Sequence, residues 1–153
     1  MRPLRVYLDT SVLGGCFDPE FEEHSRRIID GVRSGTLVAL LSELVLRELQ
    51  PAPASVRELV ASLRGDQVEM VPITADMASL RDAYLEAGVL ESRWVNDATH
   101  VAAATVARAD AIVSWNLRHI VRLDKIKAFN RINVLEGYGV LTILSPMEVF
   151  PNV

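Results

Sequence analysis

Cysteine is almost absent from this 153-residue chain: Cys16 stands alone. That excludes an internal disulfide and makes a reducing, cytoplasmic compartment the expectation. Histidine is nearly as sparse, with His24, His100 and His119 widely scattered, so no Cys/His cluster of zinc-binding spacing exists. Long apolar runs are missing as well, and none approaches the length of a membrane span. The apolar stretch after Arg2 and Arg5 is interrupted by Asp9, too early for a signal-peptide core. Positive charge is not in excess, the net charge being −4, which argues against a protein that coats nucleic acid through its overall field. No Gly-x-Gly-x-x-Gly follows the first apolar segment. Gly14-Gly15 is too little for a dinucleotide-binding turn.

What remains is a globular composition, 50% hydrophobic and 24% charged. The length suits one domain over residues 1–153 with a proper core. The hydrophobic share is high for so short a chain and points to an extra buried surface, such as a homodimer interface. Positive charge does gather locally: Arg118, Arg122, Lys125, Lys127 and Arg131 follow Asn116 against the single acid Asp124. A solvated amphipathic surface explains that run as well as a nucleic-acid contact does.

Near-continuous apolar runs, typical of strands buried on both faces of a parallel sheet, occur at residues 5–9, 37–41, 68–73, 111–114 and 141–144. Helical patterns fill the gaps. Ser55 and Glu58 suggest a capping box, Thr74 caps a helix with Met77, Leu80 and Tyr84 on one side, and an Ala-rich helix from Ser92 or Asn96 ends near Ala109. Ser145-Pro146-Met147-Glu148 places a cap, a first-turn proline and an N3 acid in order. Alternating strands and helices predict a single α/β domain with a parallel sheet of about five strands and helices on both faces.

Ligands of open parallel sheets bind beyond the carboxyl ends of the strands. Asp9-Thr10-Ser11 ends the first predicted strand and Ser114-Trp115-Asn116 the fourth, while Asp97 begins, or lies early in, the helix before it. Glu43 suits the first turn of a helix capped by Ser42. Glu48, about 140° further round at about 100° per residue, shares its side with Leu41, Leu44 and Val45. A carboxylate on an apolar face is costly without compensation, so Glu48 asks for a cation. Taken singly, Asp9 also fits a turn and Asp97 a helix cap. Together, three acids and an amide form the oxygen-rich set expected for magnesium or manganese.

Four segments carry a resemblance to a known family. Val6-Tyr7-Leu8-Asp9-Thr10-Ser11-Val12-Leu13 resembles the opening strand of PIN-domain nucleases, and Leu41 to Leu49 their second motif, with the acid six residues after the serine. Asn96-Asp97-Ala98-Thr99-His100-Val101-Ala102-Ala103-Ala104 resembles the third, and Ile112-Val113-Ser114-Trp115-Asn116-Leu117-Arg118-His119-Ile120 the fourth, a hydroxyl residue followed two places on by Asp or Asn. The resemblance implies a Rossmann-like sheet and a Mg²⁺- or Mn²⁺-dependent ribonuclease, many bacterial members being VapC-type toxins held by an antitoxin. It makes Asp9, Glu48 and Asp97 the metal-binding triad, Asn116 the fourth site residue, and Ser11 and Ser114 supporting hydroxyls. An amide at position 116 leaves one charge fewer than versions with four acids, and His119 stands where the resemblance leads one to expect Asp or another polar residue.

The expected chemistry is hydrolysis of RNA phosphodiesters, with Arg118 and Arg122 gripping the backbone. A phosphatase using Asp9 as nucleophile would want a second Asp where Ser11 stands. A silent PIN-like scaffold that only binds RNA or protein, and an orphan housekeeping nuclease, are the other readings.

Overall fold

The computed structural model describes residues 2–150. Five strands form one all-parallel sheet: β1 (Leu4–Leu8), β2 (Leu37–Ser42), β3 (Val68–Val71), β4 (Ala111–Val113) and β5 (Ile143–Leu144), ordered β3-β2-β1-β4-β5. β1 is central, and Val6, Tyr7 and Leu8 are buried, as an apolar run flanked by strands on both sides requires. The chain leaves β1 toward β2 on one side and reaches β4 on the other. The order therefore reverses between β1 and β4, and the crevice at that reversal lies beyond the carboxyl ends of both strands.

Helices surround the sheet. They are α1 (Thr10–Gly15), α2 (Glu22–Arg33), α3 (Glu43–Leu49), α4 (Ala54–Ala61), α5 (Ala75–Glu86), α6 (Val95–Val106), α7 (Leu123–Leu135) and α8 (Pro146–Val149). A 3₁₀ turn, Ser92–Trp94, leads into α6. Alternating strands and helices thus give the α/β domain that the sequence predicts, with strand bounds shifted by one or two residues at several ends.

Local chemistry sets the helix starts. Ser42 caps α3 by accepting the Val45 N–H, and Thr74 caps α5 by accepting that of Met77. Glu148 reaches back to the Ser145 N–H at 3.0 Å. Ser55 does not cap: Pro53 takes the N-cap position and α4 begins at Ala54, two residues earlier than a Ser55 cap would start it. Asp97 is not the cap of α6 either, since it lies within the first turn after Trp94. Gly15 has a packing role, because a Cβ there would lie 2.5 Å from Ser25 Oγ and 2.9 Å from Trp115 Nε1. Trp115, on the loop after β4, packs on Phe21 and donates to Ser25 Oγ, so this close approach seats α1 and α2 beside the crevice. Among the described residues no helix is long and apolar enough to cross a membrane.

Candidate active site

Asp9 follows β1 immediately and takes the N-cap position of α1 without capping it. Its side chain turns into the crevice, where the Ser11 and Ser114 hydroxyls donate to Oδ1 and Oδ2 at 2.5 Å. Each hydroxyl has a single proton, and each also accepts a backbone N–H, from Trp115 at 3.0 Å and from Asn116 at 2.9 Å. The loop after β4 therefore aims both protons at Asp9. Asp9 is 5% exposed, and burial pushes its carboxyl above the usual range against the pull of His100 and the two serines.

Glu48, on α3, accepts from Thr10 Oγ1 at 2.8 Å and pairs with His100 Nε2 at 2.6 Å through the same oxygen, Oε1. Burial works against its charge, but the bonds from His100 and Thr10 win, and the carboxyl lies below its ordinary value. An ionised carboxylate only accepts, so His100 Nε2 carries a proton. On the far side of that ring, Nδ1 meets the Tyr7 hydroxyl at 2.7 Å, and the same hydroxyl meets Ser42 Oγ at 2.7 Å. Burial raises the Tyr7 pKa, so the phenol keeps its proton and links β1, β2 and α6.

Asp97 stands one turn before His100 on α6 and takes His119 Nδ1 at 2.9 Å. The His119 ring stacks on Trp94 with centroids 4.3 Å apart, and its backbone N–H donates to Asn116 Oδ1 at 2.9 Å. Asn116 thus caps its own turn. The contacts close a circuit: Asp9 to Ser114, Asn116, His119 and Asp97, along α6 to His100, then Glu48 and Thr10, which adjoins Asp9.

All six predicted residues around the crevice, Asp9, Ser11, Glu48, Asp97, Ser114 and Asn116, lie on this circuit or bond to it. Arg118 and Arg122 stand exposed on the segment that follows, Arg122 paired with Asp124 through two bonds of 2.6 and 2.8 Å. Sequence reasoning missed His100, Tyr7 and Thr10. The signal for the first two was periodicity: His100 is three residues beyond Asp97 on one helix, and Tyr7 is two before Asp9 in an extended segment, each spacing returning to the same face.

The oxygen donors suit a hard divalent cation in kind. Glu48 Oε2 and Asp97 Oδ1 have no hydrogen bond among the described residues, and no buried side-chain polar atom there lacks a partner, so both reach solvent. No three His, Cys, Asp or Glu side chains among the described residues converge to hold a metal ion.

No family model and no curated protein matches the chain. Solved structures do. A chain of VapBC2 from Rickettsia felis, bound to a DNA fragment from their promoter, is similar at a TM-score of 0.60 and 15% identity over 93% of this chain and 98% of that one. FitAcB from Neisseria gonorrhoeae is similar at 0.57 and 13% identity, covering 94% and 99%. DNA-bound VapBC from Salmonella typhimurium is similar at 0.54 and 18% identity, covering 94% and 98%.

Proposed function

We propose that this chain, which has the PIN-domain fold of the VapC type, is a divalent-metal-dependent ribonuclease and the toxin of a toxin–antitoxin pair. The observation that supports this best is the closed circuit, which brings Asp9, Glu48, Asp97 and Asn116 to one crevice from four separate segments of the chain.

In this reading Asp9, Glu48 and Asp97 hold Mg²⁺ or Mn²⁺, competing with His100 and His119 for the oxygens of Glu48 and Asp97. The ion when bound supplies the polarisation of an attacking water and the neutralisation of charge on the phosphate. The chain's own residues prepare the site. Ser11 and Ser114 orient Asp9, while Thr10 and His100 hold Glu48 ionised. His119, pinned by Asn116 and Trp94, orients Asp97. Arg118 meets the RNA backbone as the strand crosses the crevice.

The partners are an RNA substrate, a small antitoxin protein and a second copy of the chain. Leu117, Leu123, Leu135 and Val140 stand exposed as apolar surface that a protein partner would cover. A catalytically silent scaffold is the second reading, favoured by one observation: Glu48 and Asp97 already have histidine partners.

A panel of structured RNAs incubated with magnesium or manganese separates the two. Cutting that stops in EDTA is the expected result; cutting undiminished by EDTA contradicts the metal mechanism, and no cutting on any RNA favours the scaffold. Induction in bacteria lacking an antitoxin is expected to arrest growth, and Asp9→Asn to relieve the arrest. Normal growth with abundant soluble protein would leave an orphan nuclease.

A further inference from the structure

Beside the circuit, the loop from Gly88 to Glu91, the 3₁₀ turn, the segment from Arg118 to Arg122 and the start of α7 line an open, polar cavity of about 280 Å³. That is far above the ~30 Å³ of a water molecule. Arg93, Arg118, Arg122 and Lys125 line it with only Glu91 as a lining acid. These cations are not equivalent. The Lys125 ammonium donates to the Val89 carbonyl at 2.6 Å and braces the wall, while Arg122 is occupied by Asp124. Arg93 lies 4.9 Å over the Trp94 ring and reaches Glu91 at 3.0 Å on the exposed rim. Arg118 has no hydrogen bond or ion pair among the described residues. Trp94 joins this wall to the acids, since it stacks on His119, which holds Asp97.

We infer that this cavity is a phosphate subsite of the RNA-binding surface. Arg118 and Arg93 grip a phosphodiester of the strand adjacent to the one presented to Asp9, Glu48 and Asp97. Among the lining guanidiniums Arg118 is the one without a carboxylate partner among the described residues, while Arg122 is held by Asp124 and Arg93 by Glu91, and a phosphate beside Arg118 would supply that partner. The planar guanidinium fork also matches phosphate oxygens in a way that a lysine does not. The wall shares His119 with the acid circuit, so a strand lying over the acids passes this cavity. That continuity favours a nucleic-acid strand over an acidic peptide. The inference rests on the ribonuclease reading for its ligand class and adds to it Arg93 and Trp94, more than twenty residues upstream of the basic run.

The test is equilibrium binding in EDTA, where cutting is not being measured. Fluorescence anisotropy of a short labelled single-stranded RNA is followed over a salt series, with inorganic phosphate as a second probe. Arg93→Ala and Arg118→Ala are each expected to weaken RNA binding roughly tenfold and to lower the salt slope by about one. The double variant should lose less than the product of the two, because both act on one phosphate. Arg64→Ala, at an exposed arginine beside Asp66, serves as the unchanged control. Wild-type affinity and slope in Arg93→Ala would overturn the inference and leave the rim to an acidic protein partner. Arginine-dependent binding of inorganic phosphate without arginine-dependent RNA binding would also overturn it. Arginine-dependent RNA binding by a protein that cuts nothing keeps the subsite and contradicts the nuclease; metal-dependent cutting with arginine-independent binding does the reverse.

Discussion

Neutralising Asp9 is expected to stabilise the metal-free protein rather than damage it. Burial holds the Asp9 carboxyl above its ordinary value despite the serine hydroxyls and His100. A group whose folded pKa is raised contributes stability below its unfolded pKa and loses it as pH rises through the folded one. Near neutral pH, therefore, ionised Asp9 costs the fold something that Asp9→Asn removes. Against this, one amide oxygen replaces two carboxylate oxygens facing Ser11 and Ser114, a loss of about 0.5–1.5 kcal/mol for one neutral hydrogen bond. In EDTA the variant should then melt at or above wild type, and acidification through the carboxylate range should close the gap. A cation that binds only the folded form adds about 2.7 kcal/mol at a hundredfold excess over Kd. For a domain of this length that is a rise of about 5–11 °C in Tm. Wild type should show this rise with magnesium or manganese, and Asp9→Asn little of it. Differential scanning fluorimetry in EDTA and in excess metal reads both effects. An Asp9→Asn protein that melts several degrees below wild type in EDTA would show that ionised Asp9 does not cost the fold, and one that keeps the full metal response would show that Asp9 does not hold the cation.

Tyr7→Phe removes a buried hydroxyl shared by His100 and Ser42, which should cost about 1–3 kcal/mol; a thermal melt matching wild type would show that the bridge carries nothing. Glu43 is exposed and, among the described residues, accepts the Ile73 N–H alone, so Glu43→Gln should keep its stability within about 0.5 kcal/mol and the full metal response in the same melts. Gly15→Ala would drive a methyl against Ser25 and Trp115, destabilising by about 1–3 kcal/mol in urea unfolding followed by tryptophan fluorescence.

The fold was legible because parallel strands announce themselves as short apolar runs, and Asp9, Ser114 and Asn116 were legible because they stand where such runs stop. What a single sequence does not carry is pairing between segments. Glu48, as a carboxylate on an apolar helix face, requires a partner, and the structure supplies the proton-bearing ring of His100, which is 52 residues away. His100 reads in the sequence as one of three scattered histidines. Only the fold, which brings His100 on α6 within hydrogen-bond reach of β1 and α3, reveals that it bridges Tyr7 and Glu48. Glu43 illustrates the same gap. Its place in the first turn of α3 follows from Ser42, but its bond to the Ile73 amide depends on where β3 ends beside β2.

In the proposed reading Asp9, Glu48 and Asp97 act on RNA as one unit. Single-turnover cleavage of an RNA substrate in magnesium, compared among wild type, Asp9→Asn, Glu48→Gln and Asp97→Asn, decides whether they do. Residues acting as one unit are non-additive, so each substitution alone should abolish most of the rate and the triple variant should fall little further. Full-rate cleavage by any one of the three, with RNA binding retained, would contradict the account.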